Sequence, residues 1–152
     1  MITNSHKHIF LVGLSGSGKS TVGKILSRKL RRKFFDTDKL IAQKRRKSIS
    51  RIFEEDGEKT FRKIEADVIR ETAIENSKSV IVALGGGALQ NPETRKLVRL
   101  NGVSLWLRCS LTRLAGRLQN TIDRPLLANT GNRRGLKKRL SKLLKTREKH
   151  YR

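Results

Sequence analysis

The chain has 152 residues and a formal net charge of +23, with 36 Lys and Arg against 13 Asp and Glu. That length suits one apolar core, residues 1–152 forming a single domain, and is too short for two. No apolar run reaches the length of a membrane span and no apolar leader opens the chain, so a cytoplasmic protein without membrane attachment is expected.

Cys109 has no second cysteine to pair with, and an inert thiol beside a strand is the expectation. His6, His8 and His150 lack the spacing of a zinc site. The basic excess gathers at residues 28–33, 44–47 and 133–149, on predicted helices or their ends, where Lys and Arg form solvated faces. Few aromatics are interleaved for base stacking. This argues against specific nucleic-acid recognition and leaves weak, salt-sensitive adhesion to nucleic acid.

Residues 8–12 form an apolar run that stops at Gly13, the pattern of a buried parallel strand feeding a loop. Val22, Ile25, Leu26 and Leu30 then recur at helical spacing, and Arg31, Arg32 and Lys33 suit that helix's C-terminus. Phe34 and Phe35 make a very short strand ending at Asp36. Helical pattern dominates from 38 to 76, with Gly57 as the main break and Phe61, Ile64, Val68 and Ile69 on the buried side.

Residues 79–84 are the next strand, which runs into Gly85, Gly86 and Gly87. Asn91 and Pro92 read as N-cap and first residue of a helix through Leu100, closed by Gly102. Residues 103–107 form another strand, and Ser110 caps a helix to about Leu118. From 119 to 134 periodicity disappears, which predicts a long mobile loop with a functional use. Leu136, Leu140, Leu143 and Leu144 mark a last amphipathic helix. The alternation predicts an α/β fold with a parallel sheet, helices on both faces and ligands at the carboxyl ends of the strands.

Residues 13–20, GLSGSGKS, match the P-loop pattern between a strand and a helix. In such a loop Gly13, Gly16, Ser17 and Gly18 let backbone N–H groups converge on phosphates, Lys19 reaches the β- and γ-phosphates, and the Ser20 hydroxyl ligates Mg²⁺. A classical partner motif would end a later strand in aspartate, but residues 81–84 run into glycine. Asp36 and Asp38 are the replacements: one residue apart on an extended chain, they point to opposite sides, one to metal and one to substrate. A turn capping the next helix is the alternative for this pair. The Gly85 to Gly87 triplet predicts close approach of backbone to a ligand, or else a flexible turn. Arg62, with Glu65 three residues on, is either a held guanidinium or a surface ion pair. Arg124, in the 119–134 loop, is placed to close over phosphates.

Together these residues resemble the shikimate kinase family. The resemblance runs from about Ile9 to Tyr151 through the P-loop with Thr21, the FFDTD segment at 34–38, residues 53–65, the glycine triplet, residues 124–127, and Arg147 with Tyr151. It implies a nucleoside-monophosphate-kinase-like P-loop domain, with a substrate-binding helical segment at 38–76 and a lid at 119–134. The implied reaction moves the γ-phosphoryl group of ATP to the 3-hydroxyl of shikimate, with Mg²⁺. By position, Lys19 and Ser20 serve phosphates and metal, with Asp36 a further metal contact. Asp38 accepts from the shikimate hydroxyls and orients or deprotonates the nucleophile. Arg62 and Arg147 clamp the carboxylate, Gly85, Gly86 and Gly87 approach the ring, and Phe53 and Phe61 wall the pocket. Arg124 is similar to the lid arginine and Arg117 to one near the adenine. A monomer acting on ATP and shikimate is implied.

The family pattern continues into a further strand and helix that this sequence does not hold. The resemblance places that strand beside residues 103–107, and reduced nucleotide affinity and stability are expected without it. Two rival readings are another small P-loop kinase, such as a gluconate kinase, and a nucleotide-binding protein without turnover that uses its charge on nucleic acid.

Overall fold

The first strand, β1 (His8–Val12), is apolar on both sides because both sides are covered. Its alternating side chains enter different cores, as a period of two requires. Phe10 and Val12 join a large cluster, whereas Leu11 joins a smaller one with Ile81 and Ala83. The computed structural model describes residues 8–119 and 132–152. Within these, β1, β2 (Phe34–Asp36), β3 (Ile81–Ala83) and β4 (Gly102–Trp106) form one sheet in the order β2-β3-β1-β4. All three pairings are parallel, with Ile9 opposite both Ile81 and Val103.

Helix α1 (Lys19–Leu30) covers the smaller core through Val22 and Leu26. Gly23 is the point of contact: a Cβ there would meet the Phe34 ring at 2.2 Å, so glycine lets α1 lie close to β2. The opposite face carries α3 (Ile49–Ile74), α4 (Pro92–Asn101), α5 (Leu111–Leu118) and α6 (Arg133–Tyr151). They contribute Ile69, Val98, Leu114 and Leu140 to the large core, and each such buried side chain contributes roughly 1.5–3 kcal/mol. The remaining helix, α2 (Thr37–Arg45), packs on α3 through Ile41 and Ile52 in a third cluster. On the α1 side, Val103 and Leu105 of β4 remain exposed.

Local chemistry accounts for most helix ends. Asn91, Ser110 and Asn132 each accept a backbone N–H of the first turn, as N-caps do. Three boundaries differ from expectation. The long helical region divides at Arg46, left-handed with φ 52°, and restarts at the cap Ser48, while Gly57, non-helical with φ 78° and ψ 163°, breaks α3 into two helical stretches as expected. Gly102 has extended backbone rather than a left-handed cap, and its bareness is steric, since a Cβ would stand 2.3 Å from the His8 carbonyl. The third strand is three residues, shorter than 79–84, and the Val80 N–H just before it turns to the His8 ring. Val80 N–H donates to His8 Nδ1, which leaves Nε2 to donate to the Ala73 carbonyl at 2.9 Å.

Candidate active site

β1 and β3 are neighbours, yet the chain leaves β1 towards β2 and leaves β3 towards β4 on the other side. That divergence opens a crevice beyond their carboxyl ends. The loop after β1 and the glycine triplet after β3 both lie there.

Gly13, Gly16 and Gly18 have φ of 140°, 79° and 94°, a region that L side chains rarely adopt, and this curls the loop over the start of α1. At Gly16 a Cβ would also collide with Leu118. The Lys19 ammonium folds back along the loop and donates to the Gly13 and Leu14 carbonyls at 2.8 and 3.0 Å. Arg117, in the last turn of α5, donates to the Gly16 carbonyl at 2.9 Å and joins α5 to the loop. A cleft of about 600 Å³ over the loop is lined by Ser15 to Val22, Asp36, Asp38 and Arg117. Thr21 is part of that lining.

Ser20 Oγ donates to Asp36 Oδ2 at 2.5 Å, across from the first turn of α1 to the end of β2. Asp36 Oδ1 accepts the Lys39 N–H at 3.4 Å and is the N-cap of α2. Cap and site residue are thus one side chain. Asp38 is not on an extended chain, because the helix begins at Thr37 and puts it in the first turn of α2. The two carboxylates still diverge. Asp36 lines only the P-loop cleft, while Asp38 lines both that cleft and a second cavity.

The second cavity is walled by Phe53, Phe61, Ile49, Leu140 and Leu143 and floored by the glycine triplet. Phe53 and Phe61 meet with ring centroids 4.6 Å apart. Its charged side chains are Asp38, Arg62, Glu65 and Arg147. Arg62 donates to Glu65 at 2.7 Å and to Glu58 at 3.1 Å, so the pair is a held guanidinium and not a surface bridge. Glu65 is 2% exposed, and burial, with Asp38 adding, pushes its carboxyl up against the pull of Arg62.

Arg147 reaches the cavity from α6 and is 5% exposed; its Nε finds no hydrogen-bond partner among the described residues. Burial, with Arg62 adding, lowers its pKa. A buried cation with an unused donor next to a second cation is an arrangement that an anion completes. Tyr151, one turn on, donates its hydroxyl to the Gly86 carbonyl and pins α6 to the glycine segment.

The triplet is bare for a reason different from backbone freedom, since none of its φ angles is positive. A Cβ on Gly85 would stand 2.2 Å from Glu65 Oε1, on Gly86 3.3 Å from Arg147, and on Gly87 2.6 Å from Arg62. The charged groups occupy the room that side chains would take.

Sequence reasoning missed Thr37. Its hydroxyl donates to the Ala83 carbonyl at 3.2 Å and accepts the Gly85 N–H at 3.0 Å, which locks the start of α2 to the end of β3. No residue pattern marks such a latch. It also missed the walls Ile49, Leu140 and Leu143, and Ser15, which borders both cavities. Arg124 and most of the predicted lid lie outside the described residues. The part of that loop that is described belongs to α6, with Asn132 capping and Arg133 and Arg134 helical.

Among the described residues no group of three His, Cys, Asp or Glu has the arrangement of a metal cage. Ser20 and Asp36 are hard oxygen donors at the mouth of a phosphate-binding loop, a set that fits Mg²⁺, which takes few protein ligands and completes its shell with phosphates and water. No helix among the described residues is long and apolar enough to cross a membrane.

Comparison with known proteins converges on one family. The family model "Shikimate kinase" matches residues 15–152. A shikimate kinase of Chlorobium limicola is 42% identical over 150 residues, covering 96% of this chain and 74% of the relative. The structure of Acinetobacter baumannii shikimate kinase in complex with shikimate superposes with a TM-score of 0.89 at 34% identity, covering 96% of this chain and 78% of that one. A gluconokinase from Sinorhizobium meliloti has a TM-score of 0.59 at 20% identity, covering 92% of this chain and 74% of that one, and shares the fold alone.

Proposed function

Since the chain belongs to the shikimate kinase family, phosphotransferases that act on a shikimate hydroxyl, we propose that its two cavities bring the γ-phosphate of ATP and the 3-hydroxyl of shikimate together at Asp38. The single observation behind this reading is that Asp38 borders both the P-loop cleft and the Arg62/Arg147 cavity. A transferred group must pass between two such sites, and that junction is where it passes.

The carboxylate of shikimate pairs with Arg62 and Arg147, whose planar donors suit a bidentate acid. Phe53 and Phe61 pack on the ring, and the glycine backbone lets it lie close. Asp38 accepts the hydroxyl hydrogen, orients the oxygen and takes the proton as the new oxygen–phosphorus bond forms and the β,γ-bridging bond breaks. Lys19 leaves its carbonyl partners to follow the phosphate charge, and Arg117 flanks the nucleotide. Arg124 adds charge from the lid. Ser20 and Asp36 would hold Mg²⁺, which supplies charge neutralisation for the phosphates. Positioning and charge are what phosphoryl transfer asks of a protein, and this set provides both. The enzyme works as a cytoplasmic monomer.

The test is ADP release with shikimate and gluconate side by side, for the chain and for Asp38→Asn and Lys19→Met. Shikimate-dependent release that falls about 10²–10⁴-fold in the aspartate variant, with an unchanged melting curve, is expected. Release stimulated by gluconate instead, or full activity in Asp38→Asn, would refute the reading.

A further inference from the structure

The outward side of α6 carries a continuous stripe of cations with no use in the site described above. Arg134, then the adjacent Lys137 and Lys138, then Lys142 and Lys145 follow one another within three or four residues and are all exposed. They line one shallow groove with Ser141. From Arg134 to Lys145 the stripe runs about 16 Å, with a charge at every turn of about 5.4 Å. The opposite side of the helix is Leu136, Leu140, Arg147 and Tyr151, all buried.

Two features separate this stripe from an ordinary solvated face. Several basic residues on and beside α2 and α3 are matched, as in Lys44 with Glu71, Lys47 and Arg51 with Glu55, and Arg70 with Asp67. After residue 93 only Asp123 and Glu148 are acidic, and Glu148 pairs with Arg152 at the far end of α6. In addition the arrangement opposes helix stability. Like charges stand at i,i+3 and i,i+4 along the stripe, and Arg133 and Arg134 sit in the first turn, where the helix dipole disfavours cations.

We infer that this face of α6 is a docking surface for the phosphate backbone of RNA, bound without regard to sequence. A regular row of lysines spaced by the helical turn suits a polymer whose charges also recur regularly. The stripe has no aromatic residue for base stacking, so it reads backbone and not bases. Among the residues lining the groove the large apolar one is the half-buried Leu111 of α5, whereas a helix that lies in a membrane surface needs an exposed apolar side of its own.

The probe is a fluorescein-labelled twenty-nucleotide uridine RNA, titrated by anisotropy from 50 to 200 mM KCl, with Lys137→Gln/Lys138→Gln/Lys142→Gln/Lys145→Gln beside the unaltered chain. The charge-matched control is Lys24→Gln/Lys29→Gln/Lys63→Gln/Lys78→Gln, at exposed positions on other elements. Expected is a loss of at least tenfold in affinity and a fall of about 3 in the slope of log K against log salt for the α6 variant only. Shikimate-dependent turnover should be retained in both variants and reports that they fold. Equal losses in the two variants would assign binding to bulk charge and overturn the inference. So would displacement of the RNA by ATP, which would put it in the P-loop cleft. Equal or tighter binding to phosphatidylserine vesicles or to polyglutamate would overturn it as well.

Discussion

Arg147 and Arg62 enter one cavity from different helices, α6 and α3, and burial, with the charge of Arg62 adding to it, lowers the pKa of Arg147. Two guanidinium groups brought together repel, and the fold carries that cost because a carboxylate relieves it on binding. Arg147→Met keeps the length and apolar stem while removing the charge. The expected result is a shikimate KM raised about 10–100-fold, as for a lost charge-assisted contact, with a melting temperature unchanged or higher. Steady-state kinetics and thermal denaturation on one preparation check it; a lower melting temperature with unchanged KM would contradict it.

Asp36 has two functions, and one substitution separates them. Asn caps a helix as well as Asp does, so Asp36→Asn should leave α2 and overall stability within about 1 kcal/mol. It removes the negative charge beside Ser20. The Mg²⁺ concentration giving half-maximal turnover should therefore rise several-fold, and excess EDTA should abolish turnover in both proteins. An unchanged Mg²⁺ requirement would remove Asp36 from the metal site.

Gly85→Ala puts a methyl group 2.2 Å from Glu65 Oε1. Glu65 is buried and holds Arg62, so it cannot swing into solvent. A stability loss of about 1–3 kcal/mol is expected, as for overpacking, together with a higher shikimate KM through displacement of Arg62. Gly57→Ala is the comparison: nothing among the described residues lies within 4 Å of its Cβ, and only its backbone, with φ 78° and ψ 163° in a region that glycine alone adopts readily, opposes it, at a cost of about 1–3 kcal/mol. Chemical denaturation and kinetics of the two variants distinguish steric from conformational need.

Tyr151 is the only tyrosine, so tyrosinate absorbance reports on it alone. Burial pushes its phenol up to about 12, with Arg147 opposing. The folded pKa lies above the unfolded value near 10, which means that the fold prefers the neutral phenol. Its contribution is intact below pH 10 and is lost as pH rises towards 12, amounting to about 3 kcal/mol at most. Spectrophotometric titration should give a midpoint near 12 in native protein and near 10 in guanidinium. Coincident midpoints would show that the hydroxyl is not held at Gly86.

Much of this architecture is readable along the chain because it rests on neighbours. The P-loop is one, since strand, glycines and helix follow each other within a dozen residues and each has a local signature. Asn91 and Ser110 are others, as a cap acts on its own first turn. Where expectation departed from the structure, distant contacts had intervened. Asp38 looked extended until the cap at Asp36 began the helix one residue early. The triplet looked like freedom of backbone and is instead room for Glu65, Arg147 and Arg62, which come from elsewhere in the chain.

By itself the sequence determined that a phosphate-binding loop, a short parallel sheet and an amphipathic last helix would form, because hydrophobic period and glycine placement act over a few residues. Only the tertiary structure decided that Arg62 and Arg147 share one cavity, that Thr37 latches α2 to the end of β3, and that Tyr151 ties α6 to Gly86. Those contacts join residues dozens of positions apart, and nothing in the local chemistry of either partner encodes the other. They exist because burying the two faces of the sheet leaves the helices only one arrangement in which these polar groups meet.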